Sequence, residues 1–261
     1  MARVSDEIWG WLGWCPMLAA PRYPPRGAAG VAGDKDTTGD GGPVARRSAR
    51  FMRMAWGVVA LSWVVAFLAL PYLPEIIPVH WNVYGEADGF SGRIFGAFGL
   101  PAIITLIMAL LMILPRYDSV QVSLDAFRDI YAMMLFSVVS LFFCIEVVAL
   151  ANAAGSGLPV SVIFPVLIGA LFIVMGALMP HIGRNTTMGI RLPWTVRDDR
   201  VWKKTHEHAG PLFIAGGVLI VFGSLVGRTW AMAVMAVVTI GLVLYISVWS
   251  YRLARARPLG E

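Results

Sequence analysis

Six apolar stretches, each close to the thickness of a bilayer's hydrocarbon core, fill most of this chain and fix what it can fold into. They cover residues 55–73, 94–114, 130–151, 160–179, 212–226 and 229–251. A helix rising about 1.5 Å per residue needs about 20 residues to cross about 30 Å of hydrocarbon, and only helices or closed barrels satisfy every backbone polar group there. The runs are continuous and show no two-residue alternation. They therefore predict an all-α, polytopic protein of the cell membrane with six transmembrane helices. Hydrophobic residues make up 58% of the chain and charged ones 14%, a balance outside that of soluble domains. The fifth run is the shortest, and only Gly227-Arg228 parts it from the sixth, which predicts a tight helical hairpin or, as the alternative, one bent segment.

The basic residues are spread unevenly between the connecting segments. Arg46, Arg47, Arg50 and Arg53 precede the first run, and Arg116 and Arg128 follow the second. Arg184, Arg191, Arg197, Arg200, Lys203 and Lys204 follow the fourth, while Arg252, Arg255 and Arg257 follow the sixth. Against these stand Arg93 and Arg228 on the other side. Cytoplasmic loops carry the excess of Lys and Arg, so both termini are expected in the cytoplasm. Residues 1–50 differ in composition: an aromatic patch at 8–14 gives way to a Gly, Pro and Asp-rich stretch from 21 to 43, which predicts a disordered or interfacial tail. Cys15 and Cys144 are too far apart in this arrangement to form a disulfide framework.

The connection between the first two runs, PEIIPVHWNVYGEADGFSGR at 74–93, is dense in residues that constrain the backbone. His80, Trp81 and Asn82 place a titratable ring and an amide around an interfacial aromatic, and Gly85, Gly89 and Gly92 permit turns. Glu75, Glu86 and Asp88 make the loop acidic, suited to a cationic amphipathic ligand; equally, His80, Asn82 and Asp88 can satisfy one another. Glu146 is the acidic residue inside a run, and such groups face a protein interior or a wet cavity. An external ligand pocket built from His80, Trp81, Asn82, Asp88, Arg93 and Glu146 is the resulting expectation.

The connection at 180–211 carries six basic residues. Thr195 followed by Asp198 fits a helix start, predicting a short helix from about Val196 to Ala209 that rests on the inner leaflet with Trp202 at headgroup depth. Arg191, Trp194, Trp202, Lys203, Lys204 and His206 are its candidate contacts, either with lipid or with a soluble protein. His206 and His208 are two apart on a helix, which argues against chelation by the pair. No metal site and no cofactor is expected. The chain has no HExxH, GxSxG or phosphate-cradling glycine loop, so it does not read as an enzyme.

Two segments resemble a known family. IPVHWNVYGEADGFSGR is similar to the signature of an uncharacterised membrane domain that precedes many SdpI-type proteins, and MGIRLPWTVRDDRVWKKTHEHAG resembles the cytoplasmic motif of the SdpI family. Gly189, Arg191, Pro193-Trp194-Thr195, Val201-Trp202, Lys204-Thr205-His206 and Gly210 carry the second resemblance, whereas Arg197-Asp198-Asp199 departs from the Thr and Ser of some relatives. The resemblance implies a two-helix membrane domain at 51–128 and a four-helix SdpI-like domain at 129–261. It further implies an immunity and signalling protein that counters a secreted toxic peptide and holds a cytoplasmic transcriptional repressor at the membrane, with membrane lipids as further partners and no direct nucleic acid. A small-solute transporter or a housekeeping membrane protein is the alternative.

Overall fold

The computed structural model describes residues 43–113, 128–226 and 230–256. Helix α1 spans Pro43–Ala69 and passes through a 3₁₀ turn, Leu70–Tyr72, into strand β1, Ile76–Trp81. Strand β2, Ala87–Gly92, returns directly into α2, Arg93–Ile113. Helix α3 follows at Arg128–Ala153 and α4 at Val160–Leu178. A one-turn helix α5, Pro193–Arg197, precedes the long α6, Asp199–Val226, and α7 closes the described chain at Ala231–Arg255. Among the described residues six helices are long and apolar enough to cross a membrane, as the continuous runs predict. Large apolar side chains such as Phe67, Leu106, Phe222 and Val237 point outward, which suits lipid and not water.

Three buried clusters hold the bundle. Ala55, Val59, Ile104, Met108, Leu135 and Val139 join α1, α2 and α3. Phe51, Met133, Leu178, Ile182, Trp202 and Ile246 pack the end at which α1 begins and α7 finishes. At the opposite end Leu73, Ile77, Ala97 and Leu150 tie the hairpin to α2 and α3.

Helices α4 and α6 cross closest. A Cβ built on Gly217 would lie 2.5 Å from the carbonyl oxygen of Gly169, and one on Gly176 would lie 2.6 Å from that of Gly210. Each pair therefore brings backbone against backbone, which small residues allow between membrane helices.

Four expectations need correction. The fold is not all-α, because the 74–93 connection is an antiparallel β-hairpin, pairing Ile76 with Gly92 and Trp81 with Ala87. Pro78 and the glycines mask it in a hydropathy reading. The proposed tail to residue 50 overlaps α1, which starts at Pro43, a residue whose ring presets helical φ at a first position; residues 1–42 lie outside the described residues. No separate helix lies on the leaflet between 196 and 209, since α6 runs unbroken from Asp199 through Pro211. Its start is capped by Asp198, whose Oδ1 accepts the N–H groups of Arg200 at 2.7 Å and Val201 at 3.1 Å, and not by Thr195. Finally, Trp202 is 2% exposed and His206 1%, so neither meets lipid.

Candidate functional site

At the hairpin end the turn is built around Asn82. Its Oδ1 accepts the N–H groups of Tyr84 at 2.9 Å and Glu86 at 3.1 Å, and its Nδ2 donates to Glu86 Oε2 at 3.0 Å. Gly85 takes φ 81°, and a side chain there would strike Ser161 at the start of α4. The hairpin thus leans across the bundle onto α4, where Trp81 packs edge-on against Phe164 at 5.5 Å. His80 Nδ1–H donates to Asp88 Oδ1 at 2.6 Å on the exposed face.

Replacing Asn82 with Ala removes three hydrogen bonds that pin this turn, and should cost about 1–2 kcal/mol of local stability. Amide hydrogen exchange across 80–90 should accelerate while α3 is unchanged. Unaltered exchange there would refute the assignment.

Beneath the hairpin lies a cavity of about 440 Å³ between β1, α2, α3 and α4. Trp81, Phe95, Leu100, Ile103 and Phe164 dominate its wall, with His80 as the polar group at its edge. Its size falls in the range of small-molecule sites.

The residues expected to form one pocket are not brought together. His80 and Trp81 line the cavity, whereas Asn82 and Asp88 serve the hairpin itself. Arg93 Nε–H donates to the carbonyl of Pro74 at 3.2 Å, tying the start of α2 to the approach of β1. Glu146 makes no ion pair with Arg93 or His80. It is fully buried against α1, where the Ser62 hydroxyl donates to its Oε2 and its Oε1 has no partner among the described residues. Ser62 is the one serine in the first apolar run, a signal that hydropathy averaging conceals. Phe164 and Phe95 carry no comparable signal, since each is one apolar residue among many.

At the other end the 182–198 segment is folded tightly on α6. His206 Nδ1–H donates to the Trp202 carbonyl at 2.8 Å, and its Nε2 accepts the Ile190 N–H at 3.0 Å. These partners dictate the tautomer. The ring stacks on Trp202 at 4.2 Å, and the Trp202 indole N–H donates to the Ile182 carbonyl at 2.9 Å. Gly189, at φ 101°, passes so close that a Cβ would lie 2.5 Å from His206 Nε2. Buried Asn185 accepts the N–H groups of Thr187 and Met188, and the buried Thr195 hydroxyl donates to the Ile190 carbonyl at 2.6 Å.

Most of the motif is therefore a scaffold. Arg191, Lys203 and Lys204 remain exposed, and Trp194 is half-buried with its indole N–H donating to Ser250 Oγ at 3.0 Å.

Residues 181–249, which hold this scaffold, match the SdpI/YfhL protein family. Residues 57–105, which hold the hairpin and parts of α1 and α2, match a domain of unknown function, DUF1648. The chain is 24% identical over 183 residues to the Immunity protein SdpI of Bacillus subtilis (strain 168), a match covering 70% of this chain and 86% of the relative. No solved structure matches the chain. It is a multi-pass membrane protein in which the segment similar to DUF1648 precedes the segment similar to the SdpI/YfhL family.

Proposed function

We propose that this protein is a membrane immunity protein whose hairpin-roofed cavity receives the apolar part of a cationic, membrane-active peptide. The cavity carries the reading: it is walled by aromatic and aliphatic groups, and the hairpin above it exposes Glu75, Glu86 and Asp88. An apolar slot under an acidic roof complements a cationic amphipathic segment in both shape and charge. The relative's name, an immunity protein, supports the same role. In this reading the arginine-rich end is cytoplasmic and the hairpin faces outward, where a secreted toxic peptide arrives. Residues 51–128 then supply the receptor end, and 129–261 a cytoplasmic face able to hold a repressor. The role is binding, with no chemistry performed.

A cavity-filling variant tests this. A side chain at Gly99 would meet only the Phe95 ring edge, at 3.9 Å, so Gly99→Leu should fill the slot without displacing backbone. In a peptide-sensitive host challenged with cationic amphipathic peptides, the wild-type chain should raise survival. The variant, at equal membrane abundance, should lose on the order of tenfold of that protection. Full protection by Gly99→Leu would remove the cavity from the mechanism.

A further inference from the structure

We infer that the groove between α6 and α7 at the arginine-rich end binds the phosphate of an anionic phospholipid headgroup, held between Lys204 and Arg252. Two contacts fix how these antiparallel helices face each other there. Deeper in the bundle His208 stacks on Trp249 at 4.2 Å, and its Nε2 pairs with the Tyr245 hydroxyl at 3.2 Å. Nearer the end, Arg200 Nη2 donates to the carbonyls of Leu253 at 3.3 Å and Ala256 at 3.1 Å.

Arg200, Lys204 and His208 form one stripe at four-residue spacing on α6, and Tyr245, Trp249 and Arg252 form the facing stripe on α7. Lys204 and Arg252 therefore sit opposite each other between the two contacts. Both are exposed, and among the described residues neither makes an ion pair.

Among the described residues, the carboxylates nearest the groove are engaged elsewhere. Asp198 caps α6, Asp199 accepts from Arg184 Nε at 2.6 Å, and Glu207 faces Lys203 at 3.8 Å. Two cations facing each other with no acid of the described residues between them repel, and an anion placed there relieves it. The Arg200 guanidinium is close by and is already spent on the carbonyls that end α7.

The surroundings select a lipid as the carrier of that anion. Trp249 and Tyr245 form an aromatic shelf just below the cations, at the level such rings take in a membrane interface. Beside and below the shelf α7 presents exposed Val237, Leu244 and Val248 on one stripe, a track along which acyl chains can lie. A soluble anion would use the cations and leave the shelf and track without a role.

The test uses the full chain in nanodiscs that mix phosphatidylglycerol with phosphatidylcholine, read by native mass spectrometry of retained lipid. Wild type should retain phosphatidylglycerol over phosphatidylcholine by on the order of tenfold, as expected of two juxtamembrane cations. Lys204→Gln with Arg252→Gln should erase the preference, Lys204→Gln alone should reduce it, and Arg197→Gln, a change on α5 outside the groove, should leave it intact. In pure phosphatidylcholine the double variant should melt no lower than wild type, because a repulsion has been removed. No preference in wild type, or the same preference in the double variant, overturns the inference. So does inorganic phosphate giving the same thermal shift as the lipid, which would mean a soluble-anion site. Displacement of the lipid by polyglutamate would reassign the groove to an acidic protein partner and overturn it as well.

Discussion

Gly217→Leu should leave no folded protein in the membrane, and Gly176→Leu should do nearly the same. At both positions the added side chain meets a backbone carbonyl across the α4 and α6 crossing, 2.5 Å away at Gly217 and 2.6 Å at Gly176. A backbone oxygen in a helix cannot turn aside as a flexible side chain can, so the helices must separate. Overpacking a core typically costs about 1–3 kcal/mol, and a clash against backbone belongs at the top of that range or above it. The separation would also strip contact from Ile173 and Ile214, which flank the paired glycines. Gly241→Leu on α7 is the control, since nothing lies within 4 Å of a side chain there. Thermal melting of the detergent-purified chain measures the outcome. If Gly217→Leu melts within a few degrees of Gly241→Leu, the close crossing is wrong.

The glycine spacing behind that crossing is legible in the sequence, although hydropathy does not show it. Gly169 and Gly176 are seven apart, as are Gly210 and Gly217, so each pair falls on one face of its helix. Run length and apolarity locate the six spanning helices because the bilayer constrains them so strongly. The same measure is blind to the hairpin, where strand pairing depends on main-chain bonds and on a turn set by one side chain, Asn82. It also misjudges Glu146. A carboxyl inside a span is expected to seek Arg93 or His80, but Ser62 on α1 lies across from it and Arg93 is engaged by the Pro74 carbonyl. Distance along the chain gives no hint of that neighbour, 84 residues away.

The motif at 188–210 shows the other limit. On a helical wheel, a Trp among cations suggests a headgroup anchor, and that assignment fails because the segment before it folds back and covers the ring. Only a backbone able to pass at φ 101° can do so, which is why Gly189 lies against the Trp202 and His206 rings. Lys203 and Lys204 are exposed as their charge predicts, since nothing folds over them.

Trp202→Ala distinguishes the two arrangements by magnitude. Truncating a Trp that is 2% exposed removes its packing in the cluster with Ile182, Met133 and Leu178, and such truncations cost about 3–5 kcal/mol. It also strands the Ile182 carbonyl, which loses the indole N–H, and takes away the surface on which His206 stacks. His206 would then hold the Ile190 N–H less firmly, so the 182–192 segment should loosen as a unit. Trp202→Phe keeps an aromatic face for His206 but loses the hydrogen bond, about 1–3 kcal/mol for an acceptor left buried, together with the packing of the smaller part of the indole. The order expected from thermal melting in detergent is therefore wild type above Trp202→Phe above Trp202→Ala, with faster amide exchange at Ile190 in both variants. A Trp resting at headgroup depth would give a different result: detergent already replaces the leaflet, and truncation would change stability by less than about 0.5 kcal/mol. A small effect of Trp202→Ala would return the ring to the membrane surface and dissolve the scaffold built on it.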